Sequence, residues 1–137
     1  MMNQLANLNW LGVAVATVVY FIIGGLWFTV FFSKPYKVSL GKANETLPNK
    51  PIFVVGPMLC TIVITIASAV LIYALNINSY GGAIEFALLV GIGYLVANTV
   101  NIAINPNIPR PILYGIISGS YHLICINLAS VIIVAFK

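Results

Sequence analysis

Four long apolar runs, separated by short polar segments, are the feature that most limits how this 137-residue chain can fold. They cover about residues 8–32, 52–75, 83–104 and 111–136. A helix crosses the bilayer core with roughly 20 apolar residues, and each run is long enough. The runs lack the polar–apolar alternation of membrane β-strands, so their backbone groups must bond within helices. The sequence therefore predicts an all-α integral membrane protein with four transmembrane helices.

The composition agrees with this prediction, because 61% of the residues are hydrophobic and only 6% are charged. A soluble domain of this size cannot bury so much apolar surface. The four runs take up most of the chain. We therefore expect residues 1–137 to form a single four-helix transmembrane domain, with no room in it for a soluble catalytic module.

The positions of the basic residues predict the orientation in the membrane. Five of the six Lys and Arg residues lie in the first and third connections between the runs: Lys34, Lys37, Lys42, Lys50 and Arg110. Connections rich in Lys and Arg stay in the cytoplasm, so we expect a cytoplasmic loop at about 33–51 and both termini outside (N-out, C-out). The net charge of +4 then reflects topology and contact with lipid headgroups rather than nucleic acid.

Polar side chains follow one face of the third predicted helix. Tyr94, Asn98, Asn101 and Asn105 are separated by four, three and four residues, which places them on one helical face. A short proline-rich turn joins this helix to the fourth, so the two must be antiparallel neighbours. The polar face of the third helix is therefore expected to meet the fourth helix.

His122 is the only histidine, and it lies near the centre of the fourth run. An ionisable group there is costly unless it faces protein, water or a ligand. Ser118 lies on the same face, one turn earlier. Matching helix depths at about 1.5 Å per residue places Tyr94 near His122 and Asn98 near Gly119.

Small residues predict where helices approach closely. Gly12 and Ala16 in the first helix, and Gly115 and Gly119 in the fourth, are each spaced by four. Four short helices enclose little interior, so we expect a homo-oligomer, most simply a dimer. These two pairs are candidate contact faces for it.

The sequence does not indicate a metal site, a cofactor or a catalytic centre. A zinc site takes three or four ligands, whereas this chain has one histidine and two cysteines, Cys60 and Cys125, that do not cluster with it. It carries no nucleophile–base–acid set and no Gly-rich phosphate loop. We therefore expect no metal, no cofactor and no enzymatic activity, and we expect both cysteines to be free packing residues.

Four short motifs stand out at the ends of the first helix, after it and in the fourth helix: Asn9-Trp10-Leu11, Gly24-Gly25-Leu26-Trp27-Phe28, Lys34-Pro35-Tyr36 and Gly119-Ser120-Tyr121-His122-Leu123. They resemble a family of small bacterial four-helix membrane proteins catalogued as domain of unknown function 1761. The resemblance covers most of the chain, but not Lys37–Lys50. It implies four membrane helices and a bacterial source, which places the chain in the inner (cytoplasmic) membrane, and it brings no assigned activity.

Two functions remain open. The first is a small transporter or channel, with Tyr94, Asn98, Asn101, Ser118 and His122 lining the path of a small solute or ion, since amides and imidazole bind polar solutes and cations. The second is a non-catalytic accessory protein that holds a lipid, a hydrophobic ligand or a partner subunit. In that case the same polar residues are bonds between helices, worth roughly 0.6–2 kcal/mol each.

Overall fold

The computed structural model describes residues 2–137, and four long helices dominate it. We name them span 1 (Trp10–Phe31), span 2 (Ile52–Ala74), span 3 (Tyr80–Ala103) and span 4 (Pro111–Ala135). Each is long and apolar enough to cross a membrane. The predicted all-α fold with four membrane-spanning helices is therefore confirmed, and the protein is a multi-pass membrane protein.

Two of the spans contain a π-helical turn. Span 1 is α-helical over Trp10–Leu26 and ends in a π-turn at Trp27–Phe31. In span 3 the turn lies in the middle, at Gly91–Val96. A π-turn takes more residues per turn than an α-helix. A spacing of 3.6 residues per turn therefore does not identify which residues of span 3 share a face before and after this turn.

Span 4 is the central helix of the bundle. It contacts each of the other three spans, and half of its apolar window is buried, against 17% for span 1. Span 3 packs mainly on span 4. A large part of the surface of span 3 therefore faces away from the rest of the chain.

The start of span 1 and the end of span 4 lie at one end of the bundle, which we call the terminal end. Asn9 caps span 1 by accepting from the N–H groups of Leu11 and Gly12, and its Nδ2 donates to the carbonyl of Phe136 at 2.8 Å. The Nζ of Lys137 donates to the carbonyl of Ile77 at 3.1 Å. These bonds join the start of span 1, the end of span 4 and the connection between spans 2 and 3.

The opposite end carries the first and third connections, and we call it the basic end. A short helix, Ser33–Ser39, follows span 1, and the N–H of Arg110 donates to the carbonyl of Ser39. Gly41 has a positive φ of 71° and lies against the ring of Pro109. The two connections that hold five of the six basic residues therefore touch each other.

Candidate functional site

His122 is bound to span 1 rather than to span 3. Its Nδ1 lies 3.0 Å from the hydroxyl of Tyr20, and the two rings meet edge-on at 6.3 Å. Tyr20 is only 1% exposed. Tyr94, the expected neighbour, is 71% exposed on the outside of span 3, so that expectation is wrong. The lone histidine is thus held inside the bundle by a tyrosine near the middle of span 1.

The hydroxyl groups of span 2 are turned inward and bond to their own helix. Thr61, Thr65 and Ser68 are buried, and each donates to a carbonyl one turn earlier. Thr65 also meets Thr17 of span 1, with 2.6 Å between the two oxygens. Such back-bonding satisfies a hydroxyl without water. Thr61 and Ser68 are thus bonded within span 2, and Thr65 also joins span 2 to span 1.

Ser118 of span 4 is 4% exposed, and its Oγ has no hydrogen-bond partner among residues 2–137. The Oγ of Ser130 likewise has no hydrogen-bond partner among these residues. Ser118 therefore lies inside the bundle, one turn before His122 on span 4, and apart from the exposed polar residues of span 3.

The outward face of span 3 carries Tyr94, Asn98 and Asn101, which are all exposed. Within residues 2–137, none of these three side chains forms a hydrogen bond. Asn105 differs, because its Nδ2 donates to the carbonyl of Ile102 in span 3 and its Oδ1 accepts from the N–H of Asn107 in the turn that follows. The predicted set of site residues therefore divides into an interior pair, Ser118 and His122, and an outer row on span 3.

Valines, not asparagines, meet the glycines of span 4. A Cβ added at Gly119 would lie 3.2 Å from Val96, and one at Gly115 would lie 3.2 Å from Val100. The predicted depths were therefore close to the observed ones, but the predicted face of span 3 was wrong. One reason is the π-turn at Gly91–Val96, which changes the side chains of span 3 that face span 4. The other is that the lipid outside span 3 is as apolar as the interface inside, so hydrophobicity does not mark the buried face.

The other predicted pair of small residues is also used within the chain. A Cβ added at Gly12 would lie 2.6 Å from the Cβ of Phe136, and Ala16 is fully buried. Gly12, Ala16, Gly115 and Gly119 therefore mark close helix contacts inside one chain. The atoms nearest to the three glycines belong to the same chain: Phe136 for Gly12, Val100 for Gly115 and Val96 for Gly119.

A groove of about 400 Å³ opens between spans 3 and 4 toward the basic end. It is lined by Val96, Val100, Ile104, Pro111, Ile112, Gly115, Ile116, Gly119, Ser120 and Leu123. Its walls are almost wholly apolar, and His122 is not part of them. The groove suits an apolar group rather than a polar solute.

Both cysteines are free, as predicted. Cys125 is a buried packing residue, whereas Cys60 is exposed on the outer face of span 2, so the packing role predicted for Cys60 is wrong. In the part of the chain that the structure describes, no group of three His, Cys, Asp or Glu side chains comes together.

The amino-acid sequence matches, over residues 11–134, the family model described as "Protein of unknown function (DUF1761)". The chain belongs to the DUF1761 family. The suspected family is therefore confirmed, and its description assigns no activity. No curated protein and no solved structure matches the chain.

The motifs of this DUF1761 chain meet where spans 1 and 4 pack together. The indole Nε1 of Trp27 donates to the carbonyl of Ile117 at 3.0 Å. A Cβ added at Gly24 would lie 2.7 Å from the hydroxyl of Tyr121, so only glycine leaves room for that ring. The Gly24–Phe28 motif of span 1 therefore packs against span 4 at Ile117 and Tyr121.

A row of aromatic rings runs from this interface to the basic end. The ring centres of Tyr20 and Tyr121, of Tyr121 and Phe28, of Phe28 and Tyr36, and of Tyr36 and Tyr114 lie 4.8–5.8 Å apart. Burial, with a smaller contribution from Tyr114, raises the pKa of Tyr36 to about 12, so its hydroxyl stays protonated near neutral pH. The ring contacts of Tyr36 with Phe28 and Tyr114 anchor the short helix Ser33–Ser39 to spans 1 and 4.

Sequence reasoning missed Tyr20 as the partner of His122, although a signal for it exists in the sequence. Tyr20 continues the Gly12–Ala16 spacing of four residues and lies near the middle of its span, at a depth like that of His122 in span 4. A tyrosine on a small-residue face is a natural partner for an imidazole at the same depth.

Proposed function

We propose that the protein is a subunit of a homo-oligomeric transporter or channel for a small polar solute or ion in the inner (cytoplasmic) membrane of a bacterium. In this proposal the path runs along the outward row of Tyr94, Asn98 and Asn101, where span 3 meets the same helix of a second copy. The observation that carries it is the exposure of this row without hydrogen-bond partners.

The depth of the row makes contact with lipid alone unfavourable. At about 1.5 Å per residue, Tyr94 lies about 14 Å and Asn98 about 8 Å from the end of span 3 at Ala103. Half of the hydrocarbon core is about 15 Å thick. A polar group without a partner in such a medium costs roughly 2–7 kcal/mol. Another polar surface therefore has reason to cover these side chains.

A second copy of the chain fits this face. Gly93 and Ala97 lie beside the row, both exposed, and a Cβ added at Gly93 would meet nothing within 4 Å. Small residues four positions apart let two helices approach closely. Amide and phenol groups both donate and accept hydrogen bonds. Two identical rows can thus complement each other and still bind a solute between them.

The hydrogen bonds inside a single chain also favour a path between subunits over a path through one chain. His122 is engaged by Tyr20, and the span 2 hydroxyls bond to their own carbonyls. A path between subunits leaves all of these hydrogen bonds intact. Amide oxygens and phenols suit a neutral polar solute or a weakly bound cation, and no enzymatic step is proposed.

The first test is cross-linking between copies in a Cys60→Ala background. With Ala97→Cys we expect an oxidant such as copper phenanthroline to produce disulfide-linked dimers in membranes. The matched control is Val63→Cys on span 2, which is 66% exposed and should stay monomeric. Equal cross-linking at both positions, or none at position 97, contradicts the proposed interface.

The second test is flux through proteoliposomes. The probes are K⁺ and H⁺, followed with fluorescent dyes, and glycerol and urea, followed by stopped-flow swelling. We expect at least one probe to move faster than in empty liposomes, and Asn98→Leu to slow it. Asn78→Leu, in the connection between spans 2 and 3, is the control that should leave flux unchanged.

The apolar groove between spans 3 and 4 favours a second candidate, the non-catalytic accessory protein that binds a lipid, a hydrophobic ligand or a partner subunit. Cross-linking at position 97 without flux of any probe would support this candidate against the transporter.

A further inference from the structure

We propose that the groove between spans 3 and 4 is a site for one anionic phospholipid, with an acyl chain between the helices and its phosphate held by Arg110. This site lies on the inward-facing side of span 3, away from the row of Tyr94, Asn98 and Asn101. It is independent of the proposed transport path.

The length and walls of the groove suit a single acyl chain. It extends along span 4 from Leu123 to Ile112, which corresponds to about 17 Å at about 1.5 Å per residue. One leaflet of the hydrocarbon core is about 15 Å thick. The groove therefore reaches from near the bilayer centre to the basic end. Gly115 and Gly119 form part of its wall, at the level where span 4 lies close to Val100 and Val96 of span 3.

Charge at the mouth of the groove selects the kind of headgroup. Pro111 and Ile112 form its wall at the basic end, and the exposed Arg110 immediately precedes them. Among residues 2–137, the one ion pair joins Lys42 and Glu45, so Arg110 has no carboxylate partner. A guanidinium binds a phosphate with two parallel hydrogen bonds.

The start of span 4 provides a second favourable contact at the same place. Its N-cap is Arg110 itself, and no side chain caps the helix there. Pro111 has no N–H, so the free donors at this start are the N–H groups of Ile112 and Leu113, which together with the helix dipole attract an anion. The site therefore suits a molecule that carries a phosphate and a hydrocarbon chain. The guanidinium and the helix start can bind the phosphate, and the apolar groove can hold the chain.

Native mass spectrometry of the full chain in detergent tests this site. The probes are phosphatidylglycerol and phosphatidylcholine with identical acyl chains. We expect phosphatidylglycerol adducts to exceed phosphatidylcholine adducts by about fivefold. Arg110→Gln should bring this ratio close to one. The matched control is Lys50→Gln, which removes the same charge from the same end but lies before span 2, outside the groove wall, and should keep the ratio within about twofold.

A second pair of variants tests the groove itself. Ser120→Phe places a ring in the middle of the groove and should remove adducts of both lipids. Ile116→Phe serves the same purpose if Ser120→Phe does not fold, because Ile116 is 61% exposed and its side chain points out of the core. Three results would overturn the proposal: equal adducts of the two lipids, equal losses in Arg110→Gln and Lys50→Gln, or full binding by a folded groove-filled variant.

Discussion

At the scale of single residues, the bond between Tyr20 and His122 is the clearest polar contact between spans 1 and 4. Tyr20→Phe keeps the ring but leaves the Nδ1 of His122 without a partner. An unpaired buried group costs about 1–3 kcal/mol, so we expect the free energy of unfolding to fall by that amount. SDS-induced unfolding in detergent micelles, followed by circular dichroism, measures this. Tyr80→Phe, at an exposed tyrosine, should change it by less than about 0.5 kcal/mol.

The double variant Tyr20→Phe/His122→Phe separates a specific bond from general packing. Replacing both partners with apolar groups of similar shape can be nearly neutral. We therefore expect the double variant to be more stable than the sum of the two single changes predicts. Strict additivity would show that the two side chains are not coupled, and would contradict the role given to this bond.

The neighbouring glycines Gly24 and Gly25 form a second matched pair. A Cβ at Gly24 would lie 2.7 Å from the hydroxyl of Tyr121, whereas one at Gly25 would meet nothing within 4 Å. Tyr121 cannot easily retreat, because it packs against Tyr20 and Phe28. We expect Gly24→Ala to lower the free energy of unfolding by about 1–3 kcal/mol. Gly25→Ala should leave it unchanged or raise it through better helix propensity. Equal losses in the two variants would be incompatible with this contact.

At the scale of helices, the sequence predicts length and depth well and the facing side poorly. The span boundaries follow from the thickness of the bilayer, which any crossing helix must match. Depth follows from the short turn between spans 3 and 4, and Val96 does lie opposite Gly119, close in depth to the expected Asn98. In a soluble protein, the side of a helix that faces its neighbours can be predicted because the buried side is apolar and the exposed side is polar. In a membrane both sides are apolar, so this contrast is lost. The π-turn at Gly91–Val96 adds a rotation that residue types do not reveal.

Substitutions at two glycines of that π-turn can distinguish packing within the chain from packing between copies. A Cβ at Gly91 would lie 2.8 Å from Leu123 and 2.9 Å from Ile126, while Gly93 faces open space. We expect Gly91→Ala to reduce stability by about 1–3 kcal/mol in the SDS assay. Gly93→Leu should leave that stability unchanged but abolish the Ala97→Cys cross-link. Loss of stability in Gly93→Leu would place its face inside the bundle, against the proposed interface.

The candidate site shows the same division between what could and could not be predicted. His122 was predicted to need a polar partner, because an isolated ionisable group at mid-membrane is costly. Tyr20 and Tyr94 could both provide a phenol near that depth, and only the three-dimensional arrangement chooses between them. The choice has a large consequence, since it leaves Tyr94, Asn98 and Asn101 on the outside of the chain.

At the scale of the whole molecule, each end of the bundle is joined by bonds between distant parts of the chain. The terminal end is joined through Asn9 and Phe136, and the basic end through Arg110 and Ser39. The interior polar groups of spans 1, 2 and 4 are bonded mainly to one another or to carbonyls. Span 3, which packs mainly on span 4, carries both surfaces that call for a further component, the outward polar row and the apolar groove.

The charge difference between the two ends predicts the orientation of the molecule, and orientation decides which leaflet the groove meets. With five of six basic residues at the basic end, that end should face the cytoplasm, where anionic lipids attract it. In a Cys60→Ala background, a membrane-impermeant maleimide should label Asn78→Cys in intact cells. Asn44→Cys should react only after the cells are permeabilised. The reverse pattern would place Arg110 at the outer leaflet, and an anionic lipid in the groove would then have to come from that side.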